Sequence, residues 1–166
     1  IVNTAIKAEM ASSGAIEEAV RVMSSLNKKA KEVVEQFDVH ACTDITGFGL
    51  LGHCVEMAQA SRVTFELKVQ DIAYMEDAKS YARMGLVPAG SYKNRGYSLH
   101  QVDTGGVAEE YIDLLYDPQT SGGLLVSVAA EDVLPMLEAF GKKQMDTEVS
   151  IIGTVTEDSG KLIRLH

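Results

Sequence analysis

Five short β-branched or apolar runs punctuate the chain: DVHACTDI (38–45), RVTFELKV (62–69), GLLVSVA (123–129), VSIIGTV (149–155) and KLIRLH (161–166). Each has the length and residue types of a strand rather than of a helix. Between them lie helical patterns. From Ala15 to Phe37 the apolar positions Ile16, Ala19, Val20, Met23, Leu26, Ala30, Val33, Val34 and Phe37 follow one helical stripe, with Ser13 and Gly14 at its capping end. Glu17 with Arg21, and Lys31 with Glu35, stand one helical turn apart on this segment. Shorter helices are expected near 2–11, 49–60, 73–84, 107–115 and 130–143. Strands alternating with helices predict an α+β fold: a mixed β-sheet with helices packed on one face, built from βαβ units. The last two runs flank TEDSG, which has the turn chemistry of a hairpin. Residues 85–106 hold five of the 14 glycines and little periodicity, so they read as a long loop.

The chain's 166 residues suffice for one well-cored domain, 1–166. Its 24 acidic against 15 basic residues give a net charge of −9, which repels a phosphate backbone and leaves no basic stripe for nucleic acid or an anionic membrane. No apolar run approaches the roughly 18 to 20 residues of a bilayer span, and the first residues lack a secretory layout. The expected location is the cytoplasm. The opening Ile and the immediate helical pattern suggest a domain taken from something longer. Cys42 and Cys54 form no C-x-x-C, so neither a disulfide framework nor a zinc site is indicated, and both read as buried packing residues.

The segment TDITGFGLLGH (43–53) places Gly47, Gly49 and Gly52 at the spacing G-x-G-x-x-G. A dinucleotide site needs an acid about 20 residues on, at the end of a second strand, and no carboxylate where the pyrophosphate approaches. Glu66 comes too early, and Asp44 stands in the way. The same Asp44 suits another chemistry: backbone N–H groups of the turn facing a polyphosphate, with the carboxylate holding Mg2+ that also binds the phosphates. On the residues alone, a structural role is equally supported, with Thr43, Asp44 and Thr46 capping the next helix and the glycines allowing close packing. His53, at the end of the motif, has no adjacent nucleophile and reads as a structural group.

A second segment, YDPQTSGGLLVSV (116–128), brings an acid, a turn-setting Pro118, two hydroxyls and Gly122–Gly123 ahead of a strand. Together, ACTDITGFGLLGH (41–53) and DPQTSGGLL (117–125) closely resemble the C-terminal domain of the selenophosphate synthetase (selenide, water dikinase) family. The likeness continues through NTAIKA (3–8), LNKKA (26–30), GLVPAG (85–90) with Asn94, and IIGTV (151–155). The wider superfamily includes aminoimidazole ribonucleotide synthetase and thiamine-monophosphate kinase, which are the alternative assignments, with a non-catalytic nucleotide-binding module as a third. DPQTSGG favours the selenium enzyme.

The resemblance implies the C-terminal half of a two-domain ATP-dependent enzyme. Its N-terminal ATP-binding domain, absent here, carries the reactive Cys or selenocysteine, a Lys and further metal-binding aspartates. The implied reaction makes selenophosphate, AMP and orthophosphate from selenide, ATP and water, with Mg2+. Asp44 corresponds to a metal ligand of the family. Thr43, Thr46, Gly47 and Gly49 would meet phosphate oxygens or their waters, with Thr120, Ser121, Gly122 and Gly123 as the second phosphate-side segment. Asp117 and Gln119 belong to that segment, and Asn94 is a further candidate. No catalytic residue is expected within these 166 residues. The parent is implied to be a homodimer pairing through its N-terminal domains.

Overall fold

A computed structural model describes residues 1–166. Its helices are α1 (Val2–Lys7), α2 (Ser13–Ser24), α3 (Lys28–Val34), α4 (Gly49–Ser61), α5 (Ala78–Arg83), α6 (Ala89–Ser98), α7 (Glu109–Leu115) and α8 (Val133–Lys143). The strands are β1 (Val39–Asp44), β2 (Val63–Leu67), β3 (Val102–Asp103), β4 (Leu124–Val128), β5 (Gly153–Glu157) and β6 (Ile163–Leu165). No helix is long and apolar enough to cross a membrane.

The architecture is α+β with a mixed sheet, as the alternation of runs predicts. The strands divide between two sheets. β2 sits inside a four-stranded sheet of order β3-β6-β2-β5, parallel to β6 and antiparallel to β5, while β1 pairs antiparallel with β4 in a separate two-stranded ribbon. One face of the larger sheet buries Phe65, Leu67, Val102, Ile163 and Leu165. In register on the other face stand Asp103, Arg164, Glu66 and Thr154, none of them buried.

Several expectations need correction. The helix expected over 15–37 is two helices. The hydroxyls of Ser24 and Ser25 both donate to the Arg21 carbonyl, at 3.1 and 2.8 Å, and so compete with the helical ladder; Ser25 then turns extended. The cap is Ser12, whose Oγ accepts from the Ala15 N–H at 3.0 Å. Within that stripe Val20 and Leu26 are 58% and 78% exposed, and the buried positions of α2 are Ala15 and Ala19. Of the two pairs read there, Lys31–Glu35 forms at 2.9 Å, whereas Arg21 meets Glu18 at 3.7 Å.

The expected hairpin at the end of the chain does not form, because β2 lies between β5 and β6. The connecting loop is tied to β2 near its start. Thr64 Oγ1 donates to the Lys161 carbonyl at 2.6 Å and accepts from the Ser159 N–H at 3.0 Å. β5 also begins later than expected, since its partner β2 ends at Leu67, opposite Gly153. The expected loop over 85–106 contains α6 and β3. Local propensity for α6 is poor, with two glycines inside it, and tertiary hydrogen bonds hold it: Asn94 donates to the Gly47 and Tyr116 carbonyls and Ser98 Oγ to the Tyr116 hydroxyl.

Three apolar clusters result. The largest gathers α4, α7 and the four-stranded sheet around Leu51, Cys54, Ile112, Tyr116 and Ile163. A second joins α1, α2 and α5 through Ala5, Ala19 and Tyr81, and a third joins α3 and α8 through Val33 and Phe140. Leu125 of β4 belongs to the first cluster, while Leu124 and Val126 pack against the third. The β1–β4 ribbon thus separates the two.

Candidate functional site

β1 alternates half-buried with exposed residues, so His40, Cys42 and Asp44 project on its open side. Asp44 is the last residue of the strand, paired with Leu124. A hydrogen bond from Thr43 Oγ1, at 3.2 Å, reaches the Asp44 backbone carbonyl and leaves the carboxylate to solvent. The carboxylate does not cap the following helix: α4 begins after Phe48 and has no side-chain cap. The capping role open to Thr43, Asp44 and Thr46 on sequence grounds is therefore not realised.

The chain then turns through Thr46 and Gly47. Gly49 enters α4 at φ +70°, and a Cβ there would lie 2.8 Å from the Tyr116 carbonyl carbon. Glycine is required at that point both for its conformation and for the approach. The opposing segment, 116–123, is stitched to the turn through its backbone. Ile45 N–H donates to the Gly123 carbonyl at 2.9 Å, Gly122 N–H to the Ile45 carbonyl at 3.0 Å, and Gln119 N–H to the Thr46 carbonyl at 3.0 Å. A Cβ on Gly122 would lie 2.2 Å from the Ile45 carbonyl oxygen. The two glycine segments, more than 60 residues apart in sequence, thus form one surface.

Within it the candidate residues divide. Asp44, Gly47, Thr120, Ser121 and Gly123 are exposed, and Thr43 and Thr46 are half-buried. Gly49 and Gly122 are buried and serve the close approach of the two segments. Asn94, on α6, spends its amide N–H groups on two carbonyls: Gly47 at 2.9 Å and Tyr116 at 3.0 Å. It clamps one segment to the other. Asp117 is turned inward, with the Ile1 backbone nitrogen at 2.7 Å, and accepts from Ser91 Oγ at 3.4 Å. Burial pushes its carboxyl above the ordinary carboxylate value.

Two residues that motif reasoning did not assign also hold this surface. Asn27, between α2 and α3, donates to the Gly122 carbonyl at 3.1 Å. Its only signal was its place in LNKKA. His53 is buried, and its Nε2 accepts from the Thr46 N–H at 3.1 Å. It belongs to the motif, but its two partners are legible only in three dimensions.

As a cation site the arrangement is open. No three His, Cys, Asp or Glu side chains converge anywhere in the chain. Mg2+ typically takes one or two carboxylates and fills its remaining positions with water and phosphate oxygens. A solvent-facing Asp44 beside exposed hydroxyls and a glycine turn fits it as one ligand among several. The two thiols do not behave alike. Cys54 is buried, which pushes its thiol up to about 12, whereas Cys42 is exposed, contrary to the expectation for both. Partial burial and then the Asp44 charge also raise the Cys42 thiol, so neither is an activated nucleophile.

Residues 4–165 match the family described as AIR synthase related protein, C-terminal domain. The chain belongs to this family. Among curated relatives, a protein named selenide, water dikinase from Caldanaerobacter subterraneus subsp. tengcongensis is 46% identical over 157 residues, covering 95% of this chain and 45% of that protein. Selenide, water dikinase 2 from Peptoclostridium acidaminophilum is 50% identical over 131 residues, covering 79% and 38%. The selenide, water dikinase of Clostridioides difficile is 43% identical over 164 residues, covering 98% and 47%. The chain therefore spans less than half the length of each of these relatives. Both glycine segments and Asn94 lie inside the family match.

Proposed function

We propose that this chain is the C-terminal part of a cytoplasmic selenide, water dikinase, forming selenophosphate, AMP and orthophosphate from selenide, ATP and water. The observation that carries the reading is the exposed, uncommitted carboxylate of Asp44 at the tip of β1, on a surface made by two glycine segments joined backbone to backbone. The relatives' names supply the substrate class, and the geometry supports phosphate binding on this surface.

In this reading Asp44 supplies one oxygen ligand to Mg2+. Thr43, Thr46, Thr120 and Ser121 offer hydroxyls, and Gly47 and Gly123 offer unobstructed backbone, toward phosphate oxygens. Asn94, Asn27 and Gly122 keep the two segments in register. The cation, when bound, would neutralise phosphate charge during transfer, the principal demand of phosphoryl chemistry. The nucleophile, its partner Lys and the remaining metal ligands lie in an N-terminal domain of the same polypeptide, through which the parent pairs as a homodimer. The 166-residue chain alone turns over nothing.

The test is Asp44→Asn in the full-length enzyme, with ATP consumption and selenide-dependent AMP formation measured. A loss of roughly 100-fold or more is expected, as for removal of a principal charge-stabilising group. Near-normal turnover would refute the ligand assignment. AMP formation that ignores selenide would instead point to another activity of the superfamily.

A further inference from the structure

We infer that His53 is a positioning residue that locks the turn following Asp44 through the backbone of Thr46. The inference rests on the proposed phosphate-binding role of that turn. His53 lies at the start of the second turn of α4 with its side chain 9% exposed, and its ring meets Phe48 edge-on at 5.6 Å between centroids. Nε2 is 3.1 Å from the Thr46 amide nitrogen and 3.2 Å from Thr46 Oγ1, and Nδ1 is 3.0 Å from Glu56 Oε2.

A backbone amide can only donate, so Nε2 must carry a lone pair and the ring proton must sit on Nδ1. Glu56 accepts that proton's hydrogen bond and thereby selects the tautomer that can receive Thr46. The chain of dependence runs from Glu56 to His53 to Thr46. The carbonyl of Thr46 is also engaged, by the Gly49 N–H at 3.1 Å and the Gln119 N–H at 3.0 Å. Thr46 is thus a junction held by α4, by its own turn and by the DPQTSGG segment. Both its backbone groups are committed, which fixes the direction in which Asp44, two residues earlier, leaves the strand.

Two substitutions separate the halves of this contact. In His53→Gln the longer amide reaches the position of Nε2 and can still accept from Thr46. In His53→Asn the shorter amide reaches only the position of Nδ1, keeping Glu56 and losing Thr46. Amide hydrogen exchange at Thr46 in the 166-residue chain reads the contact directly. About 10-fold or greater loss of protection is expected for Asn, and near-native protection for Gln. In the full-length enzyme, His53→Asn raises the KM for Mg-ATP roughly 10-fold, the scale of second-sphere substitutions, with a smaller change in kcat, and Gln restores it. Equal exchange and equal KM for the two variants overturns the inference.

Should His53→Asn fail to fold, Glu56→Ala reads the same dependence from outside the core. It is expected to lower Thr46 protection, and unchanged protection overturns the inference. Thr46 exchange that follows this pattern while Asp44→Asn keeps normal turnover would defeat the ligand reading and leave the His53 contact standing.

Discussion

Asp44 and Asp117 each introduce a glycine-containing turn, TDITGFG and DPQTSGG, and the fold uses them in opposite ways. Asp44 ends an exposed edge of β1 with its carboxylate in solvent. Asp117 points inward, lies 2.7 Å from the Ile1 backbone nitrogen and accepts from Ser91 Oγ. The two turns themselves are welded together through Ile45, Thr46, Gln119, Gly122 and Gly123. One aspartate is therefore free to meet a ligand at a seam that the other helps to anchor. An acid in a motif is not defined by the motif; the surrounding packing decides whether its charge is available.

The largest expected effect breaks the seam itself. Gly122→Ala places a methyl group 2.2 Å from the Ile45 carbonyl oxygen, against backbone that cannot yield cheaply. A loss of about 3 kcal/mol of unfolding free energy is expected by chemical denaturation, at the upper end of overpacking costs. A wild-type midpoint would mean that the two turns are not packed as described.

Next, the two aspartates should show opposite profiles. Asp44→Asn removes turnover in the full-length enzyme and leaves the unfolding midpoint of the chain in place. Asp117→Asn lowers stability by about 1–2 kcal/mol through weakened buried hydrogen bonds and spares the affinity for Mg-ATP. Equal profiles for the pair would remove the distinction between them.

A pH series sharpens the contrast further. Burial raises the folded-state pKa of Asp117, so the folded chain keeps that proton to higher pH than the unfolded chain does. Its contribution to stability is greatest below the ordinary carboxylate value of about 4 and declines as pH rises through the raised folded value. Asp117→Asn should flatten the unfolding free energy over that window, and an unchanged slope in that variant would show that Asp117 is not held in a desolvated position.

The smallest effect is chemical. Titration of the native chain with a thiol reagent at pH 8 should modify Cys42, on the same strand face as Asp44, and spare Cys54, whose thiol burial holds near 12. Labelling of both at one rate would contradict the packing of α4.

Much of this architecture is legible in the sequence. The runs at 38–45 and 123–129 read as strands, and the segments 49–60 and 107–115 as helices, matching β1, β4, α4 and α7. What escaped was decided by contacts across the chain. The Ala15–Phe37 stripe gave no warning that two serine hydroxyls would draw on one carbonyl and end α2. α6 has weak local preference and is held by hydrogen bonds from Asn94 and Ser98 to partners distant in sequence. The chain's last two strands carry a hairpin's turn residues, yet β2 takes the place between them, pairing antiparallel with β5 and parallel with β6.

For the site, sequence by itself determined the residue types and their order: an acid at the end of a strand, glycines where the backbone must turn or nearly touch, and hydroxyls ahead of β4. These follow from local sterics and from the few side chains able to bind a cation or an anion. Only the tertiary structure decided which acid remains available and which is consumed, that Asn94, Asn27 and His53 hold backbone, and that segments beginning at 43 and 116 share one surface. Such outcomes depend on burial and on hydrogen-bond partners supplied from elsewhere in the chain, and a linear string does not carry that information locally.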